Sequence, residues 1–247
     1  MNVESILAAG RFRVLNEPRG FIRILQWVLA IVAFATCSGY TETLTFTSHC
    51  IPAGEDDSEA KVTDQKIIIE YPFNIAKSNK DFHKFDDSCE TEIPVTLAGD
   101  VSPSASWYVF VGVIAFLYCM LALGYYVFME PNLRENDEIP AYNNVDLVIT
   151  GVLVFFWLTG TSTMAWGKNQ LDFILTHGNI VKEAELKDFC EIPNKCTVTA
   201  ATFVKLNASV AFGFLNFFLW LGSLWFVWKE ASFFKRAPLA SSPPVTA

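Results

Sequence analysis

Trp107–Met129, WYVFVGVIAFLYCMLALGYYVFM, runs for 23 residues without a charge or a proline, and no other feature narrows the architecture further. At about 1.5 Å per residue a helix of this length reaches roughly 34 Å, enough to cross a hydrocarbon core of about 30 Å. A buried helix of a soluble protein can be apolar all round, but rarely for so long. Trp107 and Tyr108 at one end and Tyr125 and Tyr126 at the other fall at the depths where amphipathic aromatic rings settle.

Three further runs follow the same logic. Ile24–Tyr40 is uncharged for 17 residues, and Arg23 before it is expected to extend the span by snorkelling to the headgroups. Leu147–Trp166 and Leu206–Trp228 complete a set of four. The expected fold is therefore an all-α membrane protein, a four-transmembrane-helix bundle with spans at 24–40, 107–129, 147–166 and 206–228. Residues 1–23 and 229–247 form the terminal segments, 130–144 a hairpin link, and 41–106 and 167–205 two larger loops. Pro18–Gly20 is expected to break any helix ahead of the first span. Ala33-Phe-Ala35 resembles a signal-peptidase site, but a 23-residue leader is long and the apolar run continues past it, so a retained span is the stronger reading.

Charge is distributed unevenly. The chain carries a net −8, and 13 of its 26 acidic residues lie between Thr41 and Ser106 against five lysines. No basic footprint for nucleic acid is present. In that loop Thr41–Ser48, Lys66–Phe73 and Glu92–Ala98 read as short strands of a small two- to four-stranded β element. The acidic stretch Glu55–Glu59 reads as a solvated connection.

Two signals orient the spans. Arg11, Arg13, Arg19 and Arg23 before the first span, with Lys229, Lys235 and Arg236 after the last, place both termini in the cytosol by the positive-inside rule. Four of the six cysteines, Cys50, Cys89, Cys190 and Cys196, sit in the two loops this puts outside, where disulfides persist. They allow three connectivities. Pairing within each loop, Cys50 with Cys89 and Cys190 with Cys196, is preferred over cross-pairing, and a zinc site from His49, Cys50, His83 and Cys89 matches metal spacing poorly. Cys37 and Cys119 read as small residues within spans.

Chemistry is sparse. Asp146 and Lys205 border the membrane faces and are expected to reach water, leaving no ionisable group deep in a span to mark a transport path. Asn216, midway along the fourth span, is expected to donate a hydrogen bond between helices. Ala35-x-x-x-Gly39, Ala115-x-x-x-Cys119 and Ser209-x-x-x-Gly213 space small residues for close helix packing. Asn207-Ala-Ser209 is a glycosylation sequon at the membrane edge, a poor place for a glycan. Catalytic, phosphate-binding and metal motifs are missing, so neither an enzyme nor a cofactor protein is expected.

Glu17-Pro-Arg-Gly-Phe21 followed by Leu25-Gln-Trp27, Ala33-Phe-Ala-Thr-Cys37, Tyr71-Pro-Phe73, Phe116-Leu-Tyr118, Ala165-Trp166, Phe212-Gly-Phe-Leu-Asn216 and Trp225-Phe-Val-Trp-Lys-Glu230 together resemble the synaptophysin family of four-span vesicle proteins, within the wider MARVEL-domain group. The resemblance runs from about residue 11 to 230. It implies residence in synaptic or small transport vesicles, binding to the vesicle SNARE synaptobrevin, affinity for cholesterol, homo-oligomerisation, and two intraloop disulfides carried by Cys50, Cys89, Cys190 and Cys196. The short tail, with no Tyr/Gly/Gln-rich extension, is more similar to the pantophysin branch or an invertebrate relative. Arg19-Gly-Phe21 to Leu25 fits a cholesterol pattern that often matches by chance. The expected role is a non-enzymatic organiser of vesicle membranes; the alternative is an oligomeric channel or transporter.

Overall fold

The computed structural model describes residues 18–52, 60–86, 88–128, 139–183, 186–191 and 195–230. Residues 1–17, the Glu55–Glu59 stretch, most of the 130–144 link, the Pro193-Asn194 turn and the tail beyond 230 lie outside these. The chain forms α1 (Pro18–Ser38), β1 (Thr41–Cys50), β2 (Lys61–Glu70), α2 (Ile75–Ser78), β3 (His83–Phe85), β4 (Glu92–Pro94), α3 (Ser102–Phe128), α4 (Ile139–Ile174), α5 (His177–Glu183), α6 (Lys187–Glu191), β5 (Lys195–Val198) and α7 (Val204–Glu230).

Helices α1, α3, α4 and α7 are each long and apolar enough to cross a membrane. They run up and down in chain order, and each packs along two neighbours, α1 and α4 both lying against α3 and α7, so the four close a ring. Ala30, Ala33 and Cys37 of α1 and Ala105, Ala115 and Cys119 of α3 are fully buried, which lets these two helices approach closely. At Gly112 of α3 a Cβ would stand 2.7 Å from the Cβ of Phe34.

Two helices depart most from the expected spans. α1 starts at Pro18 instead of after it, because proline fits the first turn, where its missing N–H has no intrahelical acceptor to lose. α4 is 36 residues long, about 54 Å, and runs beyond both ends of the expected third span. Pro140 is absorbed in its first turn. At its other end Leu171 is fully buried, and Lys168 pairs with Asp172 one turn on at 2.8 Å, so the polar residues after Trp166 continue the helix.

The strands form a cap over one end of the bundle. β1 is central, pairing antiparallel with β2 from Thr41↔Glu70 to Cys50↔Lys61 and with β5 from Phe46↔Val198 to His49↔Lys195. The third strand thus comes from the second loop, so the two loops that read as separate units make one sheet. β2 spans 61–70 and stops before the cis Tyr71-Pro72 peptide, and β4 pairs with β3 in a separate two-stranded ladder. Leu44, Phe46, Ser48 and Cys50 alternate into the core, where Phe46 meets Phe82 edge-on at 5.2 Å. Asn79 covers part of the outer edge of β2, accepting from Ile68 N at 2.6 Å and donating back to its carbonyl at 2.9 Å, and the Gln65 side chain of β2 makes the same exchange with the His83 backbone of β3.

Disulfides join Cys50 to Cys89 and Cys190 to Cys196, with Cα separations of 5.7 and 5.4 Å. The first bond uses both thiols that a zinc site would require. Cys89 takes a positive φ of 58°, and the turn carrying it is held by Asp86, whose carboxylate accepts from the Ser88 and Thr91 hydroxyls and from the Glu90 and Thr91 amides. These bonds, that of the Thr91 hydroxyl first, hold the Asp86 carboxyl well below the usual carboxylate range. A carboxyl lowered on folding stabilises the fold above its unfolded value and loses that contribution as pH falls through its folded one. Hydrogen exchange is therefore expected to show the Glu90 and Thr91 amides protected at neutral pH and down through the ordinary carboxylate range. Asp86→Ala is expected to remove that protection even at neutral pH.

Candidate functional site: a buried charge network across the bundle

At the end of the bundle away from the cap, Arg23 on α1 and Asp146 on α4 form an ion pair of 2.7 Å with both side chains 2% exposed. Both residues were expected to reach water or headgroups at the edges of their spans; the structure overturns this. The reason is their position on the inward faces of two helices that stand diagonally across the ring. An arginine facing outward there could snorkel, but one facing inward can only be neutralised by the opposite helix.

The surrounding side chains complete the arrangement. Arg23 donates through one terminal nitrogen to Gln26 Oε1 at 3.0 Å and through the other to Thr150 Oγ1 at 2.9 Å as well as to Asp146. Asp146 Oδ1 also accepts from the Thr150 hydroxyl at 3.2 Å and from the Tyr118 hydroxyl, while Oδ2 accepts from Tyr126 at 3.4 Å. The guanidinium carbon lies 4.9 Å from the Trp220 ring centre and 5.4 Å from that of Tyr118. Gln26 Nε2 reaches the Leu219 carbonyl at 3.3 Å. All four long helices therefore meet at one neutral cluster.

A second polar contact spans the other diagonal, nearer the cap. Tyr108 of α3 donates to the Ser209 carbonyl of α7 at 2.6 Å, and the Ser209 hydroxyl donates to Ala33 O of α1 at 2.7 Å. Gly213 lies one turn further along α7. A Cβ there would stand 2.7 Å from Thr161 Oγ1 and 2.8 Å from the Tyr108 hydroxyl, so the helices meet over a bare backbone. Ser209 and Gly213 thus sit at close helix contacts. Ala115 and Cys119 are likewise buried, whereas Ala35 is exposed and Gly39 follows the end of α1, so that pair packs nothing inside.

Asn216 corrects a second expectation. It is fully buried, but its Nδ2 donates to Phe212 O, four residues back on its own helix, at 3.0 Å, and Oδ1 has no hydrogen-bond partner. The short amide finds its own backbone before it reaches another helix. Asn207, of the sequon, is exposed in the first turn of α7, and its backbone N–H bonds to Phe203 O at 2.8 Å. Sequence reasoning missed the Arg23–Asp146 pairing. The available signal was one lone cation and one lone anion at the same end of two spans, with Gln26 three residues after the first and Thr150 four after the second on their inner faces.

Chemically the cluster is a lock. Asp146 Oδ1 already accepts three bonds, and Arg23 is hydrogen-bonded and lies against the Trp220 and Tyr118 rings. Removing one partner of a buried ion pair costs about 3–5 kcal/mol, while replacing both by well-packed apolar residues can be neutral. Arg23→Met or Asp146→Leu alone is expected to lower thermal stability of the detergent-solubilised protein by about that amount. The Arg23→Met/Asp146→Leu double variant is expected to recover most of the loss in the same melting assay.

The family match agrees with the four apolar helices in pointing to the membrane. Residues 15–226, nearly the whole described region, match the MARVEL family, the membrane-associating domain. The chain is a multi-pass membrane protein and belongs to the MARVEL family.

Proposed function

We propose that this chain is a non-enzymatic organiser of small transport-vesicle membranes, synaptic vesicles among them. It would act by lateral association with lipid, including cholesterol, with a vesicle SNARE of the synaptobrevin type, and with further copies of itself. In this reading both termini face the cytosol and the cystine-bearing cap faces the lumen.

The observation that carries the reading is the direction in which the bundle spends its polarity. The Arg23–Asp146 cluster neutralises charge inward, while large apolar side chains such as Leu121, Phe155, Phe218 and Trp225 are left exposed on the outside. A chain built this way meets other molecules through its outer faces, in the plane of the membrane. The extramembrane mass among the described residues is the cap, whose exposed acids and partly covered β2 edge suit a soluble, oxidising compartment.

Fractionation of cell membranes by size tests this. The chain is expected to sediment with small vesicles and to co-purify with synaptobrevin; recovery only at cell junctions overturns the role. On those sealed vesicles a membrane-impermeant maleimide is expected to label Ser241→Cys directly and Ser88→Cys only after permeabilisation. The reverse pattern overturns the orientation.

A further inference from the structure

At the end of the bundle away from the cap, α4 and α7 leave a groove of about 430 Å³, lined by Leu147, Leu221, Leu224, Trp225 and Trp228. Gly151 forms part of the reason. A Cβ at that position would be 3.9 Å from Leu224 Cδ1, so the absence of a side chain leaves room beside α7. The groove opens toward lipid, with Leu221 and Trp225 about half exposed. Lys229 stands at its mouth, its Nζ 4.9 Å from the Trp225 ring centre.

We propose that this groove holds an acyl chain of an acidic phospholipid whose headgroup pairs with Lys229. An empty apolar concavity forfeits dispersion contacts along its lining, so in a bilayer hydrocarbon fills it. The cation selects among the lipids that could supply that hydrocarbon. The segment that leaves α7 beside the groove carries Lys229, Lys235 and Arg236 against Glu230, so the charge next to the groove is positive, in contrast to the acidic cap. Basic residues beside a span attract anionic headgroups, at about 1 kcal/mol each. A sterol would offer the lysine only a neutral hydroxyl, without the charge of an acidic headgroup. A second copy related by a two-fold axis would bring its own Lys229 against the first, and like charges oppose that contact. The inference rests on the orientation proposed above only for naming the leaflet, which would be the cytosolic one.

The test uses the full chain reconstituted in vesicles of unlabelled phosphatidylcholine doped with either brominated phosphatidylserine or brominated phosphatidylcholine at equal mole fraction, with tryptophan fluorescence as the readout. Brominated phosphatidylserine is expected to quench at roughly fivefold lower mole fraction, the equivalent of about 1 kcal/mol for one interfacial cation. Lys229→Gln, an exposed position, is expected to abolish the difference while leaving quenching by both lipids. Gly151→Leu, which fills the groove, is expected to weaken quenching by both. Equal quenching of the unaltered chain overturns the proposal. So does stronger quenching by a brominated sterol, which assigns the groove to sterol, and so does protection from every brominated lipid that is relieved by diluting the protein, which assigns it to a second copy.

Discussion

A guanidinium and a carboxylate enclosed among four helices in a bilayer govern the rest of this molecule. Neither charge tolerates burial alone, so Arg23 and Asp146 must arrive at the same depth and on facing surfaces, although 123 residues separate them along the chain. That requirement sets the vertical register and the rotation of α1 against α4, which lie diagonally in the ring and are otherwise held mainly through α3 and α7. Gln26, Thr150, Tyr118 and Tyr126 satisfy the remaining donors and acceptors, and Trp220 covers the guanidinium face. Lipid offers helices no hydrophobic drive to associate, so a polar lock of this kind supplies specificity that apolar packing alone does not.

The opposite end is organised by different physics. There water is available, and the cap holds together through strand pairing, two cystines and an aromatic and aliphatic core beneath the sheet. Tyr40 joins cap to bundle: its ring stacks on Phe203 and lies tilted against Phe73, and its hydroxyl donates to the Thr202 carbonyl at 3.2 Å. Because β5 comes from the loop before α7 while β1 and β2 follow α1, the sheet ties the first and last long helices together from above as the ion pair ties α1 and α4 from below. Between the two ties, Ser209 and Gly213 let α7 approach α1 and α3 over bare or hydroxyl-bearing backbone. With polarity used internally and the helix spacing fixed at both ends, the outer faces are left to lipid and to neighbouring proteins, consistent with membership of a membrane-associating family.

Much of this was legible without coordinates. The four spans follow from length and hydropathy, because backbone groups in lipid must be satisfied within each helix and an apolar run of some 20 residues has almost no other stable home. The disulfides within each loop and the β character of Thr41–Ser48 were also readable, since loop length and alternation act locally. Ser209 and Gly213 were legible as packing residues because small side chains four apart share one helix face whatever the neighbour is.

What the amino-acid order determined by itself, then, is every property that depends on neighbours in sequence: the number of spans, their length, the acidic cap and the spacing of its cysteines. What only the tertiary structure decided is which face of each helix points inward. Arg23 and Asp146 near span edges have two outcomes, snorkelling outward to water or pairing inward, and the choice turns on a rotation that α3 and α7 impose. Asn216 likewise could bond across helices or back to its own, and the distance to the next polar group, set by packing, chose the latter. β5 pairs with β1 from a different loop because the bundle brings residues some 150 positions apart side by side. Such pairings carry no local signature, because their free energy arises only when two distant segments are buried together.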